Sequence, residues 1–370
     1  MERRIRQTLG EVFDAEVGRR ATLDHLGGHA SLRIYWRVHL PTDLEPPRPY
    51  PRGESSMMAM VLPEGADPFE SAEGLSEDAQ RPQKMPFVDV QSYLADIGMP
   101  VPAIDTVDLD RGVLLLEDLG DRLFEDAVVD ADTDDDVQDL YRQVIDVLVD
   151  LQRSVLREQS ERTDEISPCI GFERRFDRDL LRWELDHYLQ WGLVARVGDD
   201  TVAAHRDELQ NCFEQLVDEL LALPQTLVLR DYQSRNIMWK QTDWILIDFQ
   251  DALIGPFVYD LVALLHDSYV ELPDDAIAPL VDHYIEQGHK AGLPWCADAD
   301  DVHRAFHLQT IQRKLKDAGR FINIDRTNDD PSFLDYYEPS IQYVRYALEQ
   351  LDDFNAFAQL LDELEPAFTN

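Results

Sequence analysis

Apolar positions recur along this chain with two different periods, and the change from one to the other divides it. Residues 1–13 are charged with a helical repeat. From residue 21 to 38 the pattern alternates: Leu32, Ile34, Trp36 and Val38 are separated by Arg33, Tyr35 and Arg37, and Gly27-Gly28 interrupt the run. This predicts a strand, a glycine turn and a second strand. Pro41, Pro46, Pro47, Pro49 and Pro51 then exclude both helix and central strand, so residues 41–55 are expected to form an exposed, extended insertion. Residues 57–62 form a short apolar strand, and 63–82 an acidic loop. Residues 87–97 have helical spacing that stops at Gly98 and Pro100. Residues 113–116 are a buried strand running into Glu117-Asp118-Leu119-Gly120.

Beyond that point the helical period dominates. Residues 134–160, 177–191 and 203–222 predict long amphipathic helices, with Leu140, Val144, Val147, Leu148 and Leu151 on one face of the first. Two β-rich segments, 227–239 and 244–252, interrupt them, helices resume from Tyr259, and no internal repeat is visible. The reading is an α+β chain in two lobes: a small sheet-containing N-lobe over residues 1–118, which holds the proline-rich insertion, and a larger, mostly helical C-lobe over residues 119–370.

Composition narrows the function classes. With 34 Lys+Arg against 74 Asp+Glu the formal charge is −40, and only five of the basic residues are lysine (Lys84, Lys240, Lys290, Lys314, Lys316). Such a surface repels a phosphate backbone, which excludes general nucleic-acid binding. Because the acids are spread along the whole chain, they read as a hydrated surface suited to high salt rather than a field focused on a cationic ligand. Cys169, Cys212 and Cys296 form no C-x-x-C pair and point to a reducing compartment. No signal-like apolar run opens the sequence and nowhere do about 18 uncharged apolar residues follow one another, so a soluble cytoplasmic monomer with no membrane partner is expected.

Two neighbouring segments carry the chemistry. In Leu229-Arg230-Asp231-Tyr232-Gln233-Ser234-Arg235-Asn236 a carboxylate and a carboxamide stand five residues apart, and Ile245-Leu246-Ile247-Asp248-Phe249 ends an apolar strand on a second carboxylate. Phosphoryl transfer from Mg-ATP needs one carboxylate to orient the attacking hydroxyl and take its proton, and an amide with a second carboxylate to hold Mg2+. Asp231, Asn236 and Asp248 supply these types in that order.

Together with Gly28 to Arg37, Leu114 to Gly120, Gly255-Pro256, Tyr259-Asp260-Leu261 and Gln312 to Lys316 with Gly319, these segments resemble the kinase-like phosphotransferases that include aminoglycoside phosphotransferases and choline kinases. Within that group the similarity is greatest to bacterial anomeric kinases of N-acetylmuramate and N-acetylglucosamine, which act in cell-wall recycling. The resemblance implies a protein-kinase-like fold, ATP and Mg2+, and an amino-sugar acceptor. It implies Asp231 as catalytic base, Asn236 and Asp248 as Mg2+ ligands, the backbone around Glu117 and Leu119 as the adenine-binding hinge, and Gly27, Gly28, Ser31 and Arg33 at the phosphate loop. On the acceptor side it points to Glu184 and Arg313, of which Arg suits a lactyl carboxylate.

Two positions depart from the pattern: Leu229 stands where a histidine is usual, and residues 57–62 lack the strand lysine that clamps the donor phosphates. Two alternatives therefore stay open, an aminoglycoside- or choline-type kinase and a nucleotide-binding pseudokinase. Other signals are set aside. His303 and His307 lack a third zinc ligand, no Gly-Lys dipeptide or G-x-S-x-G occurs, and the acids from Asp130 to Asp136 read as a helix start rather than a calcium loop.

Overall fold

The computed structural model describes residues 1–26, 33–69, 82, 84–163 and 167–368. Up to Arg122 these residues form one compact unit, joined by Met238–Ile247. Its core is a five-stranded antiparallel sheet in the order β1-β2-β3-β5-β4, with β1 Thr22–His25, β2 Ile34–His39, β3 Ser56–Val61, β4 Ile104–Asp108 and β5 Val113–Glu117. Alternate residues of the strands, Val38, Met57, Ala59, Val61, Val113 and Leu115, bury one face against Ile5, Leu9 and Phe13 from the opening helix Glu2–Val12 and Val17 from Ala15–Arg20. The expected hairpin is present as β1 and β2, in the register Leu23↔Val38 and His25↔Trp36. Strand β4 is absent from the pattern-based reading because a register shift between Ile104 and Thr106 breaks its alternation, and because it lies at the sheet edge with Val107 40% exposed.

The proline-rich insertion is fastened down rather than free. Arg52 makes a two-pronged contact with Asp105 (3.1 and 3.3 Å), the Tyr50 hydroxyl donates to the Pro41 carbonyl (2.9 Å), and Leu44 and Tyr50 pack on the sheet core. Prolines remove ladder donors but leave neighbouring side chains free to pack. A second difference concerns the expected boundary after residue 118. The unit continues to Arg122, and the hairpin of β7 (Ile237–Lys240) and β8 (Asp243–Leu246) joins it through Trp239 N–H to Arg122 O and Leu246 N–H to Pro100 O, both 2.8 Å.

Leu123–Ile237 and Asp248–Asn370 belong to the second unit, which is mostly helical. The acid run does start a helix, Asp134–Glu161, whose N-cap Thr133 accepts from Asp136 N–H while three aspartates occupy the first turn. The short antiparallel pair of β6 (Gln225–Val228) and β9 (Leu253–Pro256) brackets the catalytic segment in sequence. The 30-residue helix Ala299–Asn328 is buried on most of its circumference, so it lacks a polar face and packs Leu308, Ile311, Leu315, Ala318 and Ile322 into the main core. The predicted helix 177–191 is Arg178–His187 followed by a π-helical turn, Tyr188–Val194. Downstream of that turn Arg196 reaches the fully buried Glu365 (2.6 Å), which also accepts from the Tyr188 and Tyr337 hydroxyls.

Gly319 lets the long helix touch this turn: a Cβ there would lie 2.8 Å from the Tyr188 Cα and 3.0 Å from its nitrogen, both backbone atoms. Gly319→Ala should therefore lower stability by about 1–3 kcal/mol despite alanine's better helix propensity, and a thermal melt in which the variant equals or exceeds the parent would refute this. The three cysteines are buried and unpaired, as core fillers would be. No helix among the described residues is long and apolar enough to cross a membrane.

Candidate active site

The segment after β6 is pinned by buried carboxylates. Asp260, at the start of the helix Tyr259–Leu265, accepts Leu229 N–H (2.7 Å) and Arg230 N–H (3.0 Å) while itself fully buried. Asp267 accepts Ser234 N–H (2.7 Å) and Tyr269 N–H (3.1 Å), and the Tyr232 hydroxyl donates to Val144 O (2.8 Å). Leu229 is buried and its N–H is bonded, so the loop is held with a leucine at the usual histidine position. The Asp231 carbonyl accepts Gln233 N–H (2.9 Å) and Asn236 Nδ2 (3.0 Å). The Asp231 carboxylate itself, half-buried, makes no hydrogen bond or ion pair among the described residues.

Burial pushes the Asp260 carboxyl up to about 7, against the two N–H bonds and the nearby Arg313 charge. Burial likewise raises Asp267 above the ordinary carboxylate range, its hydrogen bonds to Ser234 and Tyr269 notwithstanding. Arg230 and Asp248 both adopt left-handed backbone conformations (φ 73° and 59°). This costs on the order of 1 kcal/mol each and clusters where a site dictates the geometry.

Asp248 is half-buried and accepts Gln250 Nε2 at 2.9 Å. The Asn236 Nδ2 group is spent on the loop, leaving its amide oxygen facing outward from that bond. One amide oxygen and one carboxylate form a hard-oxygen donor pair suited to Mg2+, which takes few protein ligands and fills its shell with water and phosphate oxygens. Among the described residues no group of three or more His, Cys, Asp or Glu could hold a metal, which fits this sparse arrangement and removes the His303/His307 zinc reading.

Behind the loop lies a polar network. Glu184, 1% exposed, accepts Arg230 Nη2 (3.2 Å) and Gln312 Nε2 (2.5 Å), and Arg313, also 1% exposed, donates to the Arg230 carbonyl (2.8 Å) with its guanidinium over the Tyr259 ring. Both residues are thus engaged in holding Arg230, one by its side chain and one by its backbone. Burial alone would raise Asp317, but the charges of Lys316, Lys314 and Arg313 outweigh it and hold it well below the ordinary range. Tyr269 lies under the Arg235 guanidinium (3.8 Å) and edge-on to Tyr336, which in turn meets Phe321 and Phe333. The charges of Asp231 and Asp317 both reach the Tyr269 hydroxyl.

In the first unit, Gly27, Gly28 and Ser31 lie outside the described residues. The Arg33 guanidinium sits over the Phe87 ring at 5.9 Å. The Glu117 carboxylate is fully committed: Lys240 Nζ donates to it (2.7 Å), to Glu54 (2.7 Å) and to the Asp118 carbonyl (2.9 Å), while Ala103 N–H takes its second oxygen (3.0 Å). Burial opposes the charge on Glu117, yet these bonds win and keep its pKa below the ordinary value. Leu119 is buried.

Residues 75–297 match the model of the phosphotransferase enzyme family. The chain belongs to that family. Over 290 residues this phosphotransferase is 32% identical to the N-acetylmuramate/N-acetylglucosamine kinase of Pseudomonas putida, a span covering 78% of this chain and 80% of that one. The protein of the same name from Pseudomonas aeruginosa is 29% identical over 289 residues, with the same coverage of both. Its fold is similar to that of choline kinase from Cryptosporidium parvum, with a TM-score of 0.57 over 91% of this chain and 92% of that one at 14% identity, and the expected α+β kinase-like architecture is met.

The structure of the phosphotransferase brings Asp231 and Asn236 together on one loop and seats Glu184 and Arg313 behind it. Sequence reasoning gave no role to Asp260, Asp267, Lys240 or the pair Lys316 and Asp317. Asp260 carries a legible signal, a lone acid inside the apolar run from Val258 to Leu265. Lys240 carries none, since its partners lie 122 to 186 positions away.

Proposed function

We propose that the chain transfers the γ-phosphoryl group of ATP to the anomeric hydroxyl of an amino sugar, N-acetylmuramate or N-acetylglucosamine, in the cytoplasm. The observation that carries this is the Asp231 carboxylate, left without a protein partner on a loop whose every neighbouring backbone group is pinned, in a chain 32% identical to a kinase of those sugars. Asp231 accepts the acceptor hydroxyl and takes its proton as that oxygen bonds to phosphorus and the bond to ADP breaks, giving ADP and a sugar 1-phosphate. Asn236 and Asp248 would hold Mg2+, which supplies neutralisation of the phosphate charges. Strand β3 offers only Ser56 and apolar side chains, so the chain's own residues bring no β3 lysine to that task.

The test is calorimetric ATP titration with and without Mg2+, followed by a coupled ADP-release assay over a panel of acceptors. Mg2+-dependent binding and release with the two acetylated sugars are expected. Release with aminoglycosides or choline in their place would reassign the acceptor, and binding without release under any acceptor would make the chain a nucleotide-binding scaffold.

A further inference from the structure

The buried cations on the long helix Ala299–Asn328 are not all satisfied by the protein. Gln312 and Arg313 face the catalytic segment, through Glu184 and the Arg230 carbonyl, and Lys316 stands one helical turn on, at i+4 and i+3 from them, on the same face. Lys314 is fully buried and saturated, with bonds to His266 O (3.1 Å), Ser268 Oγ (2.9 Å) and Asp317 (3.3 Å). Lys316 has one partner among the described residues, the same Asp317 (3.0 Å), and its side chain remains 17% exposed. Two ammonium groups thus share one carboxylate, and Lys316 keeps two N–H donors toward solvent.

The surrounding acids do not fill that vacancy. Glu184 is taken by Arg230 and Gln312, Asp260 by the backbone of Leu229 and Arg230, and Asp267 by the backbone of Ser234 and Tyr269. The charges that reach Lys316 are those of Asp317, Tyr259, Arg313 and Glu184, all on the Arg230 side of the loop, whereas Asp248 is not among them. The unfilled valence therefore faces the acceptor side rather than the metal donors. One added negative charge would balance Lys314, Lys316 and Asp317.

We infer that Lys316 binds a carboxylate on the acceptor, so that the chain selects the acid-bearing amino sugar over its neutral counterpart. The inference rests on the kinase reading above and adds the acceptor's charge class. An ammonium that pairs with a ligand carboxylate in a partly buried site makes a charge-assisted hydrogen bond, whose loss weakens binding roughly 10- to 100-fold. It leaves a ligand lacking that group untouched.

The experiment measures KM and Kd for N-acetylmuramate and N-acetylglucosamine with the parent chain, Lys316→Met, Lys316→Gln and Lys316→Arg, each checked by thermal melting. In the Met and Gln variants KM for N-acetylmuramate should rise roughly 10- to 100-fold while KM and kcat for N-acetylglucosamine stay within about twofold, and Arg should recover most of the loss. On the unaltered chain, the methyl ester of N-acetylmuramate should bind no better than the neutral sugar, a readout that does not depend on any variant folding. Equal losses for both sugars, no loss for either, or an ester that binds as well as the acid would overturn the role of Lys316 and leave the kinase reading standing. Failure of the parent chain to bind or turn over either sugar would overturn both.

Discussion

Asp231→Asn is expected to reduce kcat by roughly 100- to 10,000-fold while changing ATP affinity less than about twofold. The substitution keeps shape and removes the proton acceptor. It also spares the loop, because the bonds from Gln233 N–H and Asn236 Nδ2 go to the Asp231 carbonyl, which asparagine retains. No protein group loses a partner either, since the carboxylate has none among the described residues. A coupled ADP-release assay with calorimetric ATP titration checks both halves. Turnover near the parent level would remove Asp231 from the reaction, and a large loss of ATP affinity would mean that it contacts the nucleotide instead.

Asp260→Asn should produce the largest loss of stability for a change of so few atoms. The carboxylate accepts two backbone N–H groups at 2.7 and 3.0 Å from a fully buried position, and asparagine must turn its NH2 toward one of them. One buried donor is then opposed by another, at a cost of about 2–3 kcal/mol, and the start of the catalytic segment loosens. The pH dependence has a definite sign. Burial lifts the Asp260 carboxyl to about 7 in the folded chain, above the unfolded value of about 3.9. Its contribution to stability is therefore fully present below about pH 4 and is lost as the pH rises through about 7. The difference in Tm between parent and variant should accordingly narrow from about pH 5.5 to about pH 8.5. A difference that widens over this range would show that the ionised carboxylate is the form the fold prefers.

Much of this site was legible because its residues are close in sequence. Asp231 and Asn236 are five positions apart, and Asp248 ends a strand that the apolar run to Ile247 announces. The strands of the sheet were legible wherever alternation survives, and β4 was not, because a register shift destroys the period that would reveal it. Glu184 and Arg313 were found as residues but their engagement was not. Their bonds to Arg230 span 46 and 83 positions and follow from tertiary packing that no local period encodes. The same holds for Lys240, which binds Glu54 of the proline-rich insertion and Glu117 of β5 at once. A helix with apolar residues on every side, such as Ala299–Asn328, has no amphipathic stripe to show which face meets the catalytic segment, so the pairing of Lys316 with Asp317 became visible only in three dimensions.

The π-helical turn at Tyr188–Val194 makes the length of this stretch more constrained than its chemistry. A wider turn absorbs an additional residue without changing the direction of the axis. Removing that residue would leave every later position out of phase by about 100°. Leu193 would then rotate away from the core and Arg196 away from Glu365, and the hydroxyls of Tyr188 and Tyr337 would no longer share a counter-charge. In sequences descended from this one, amino-acid replacements should accumulate between residues 188 and 194 far more readily than gaps.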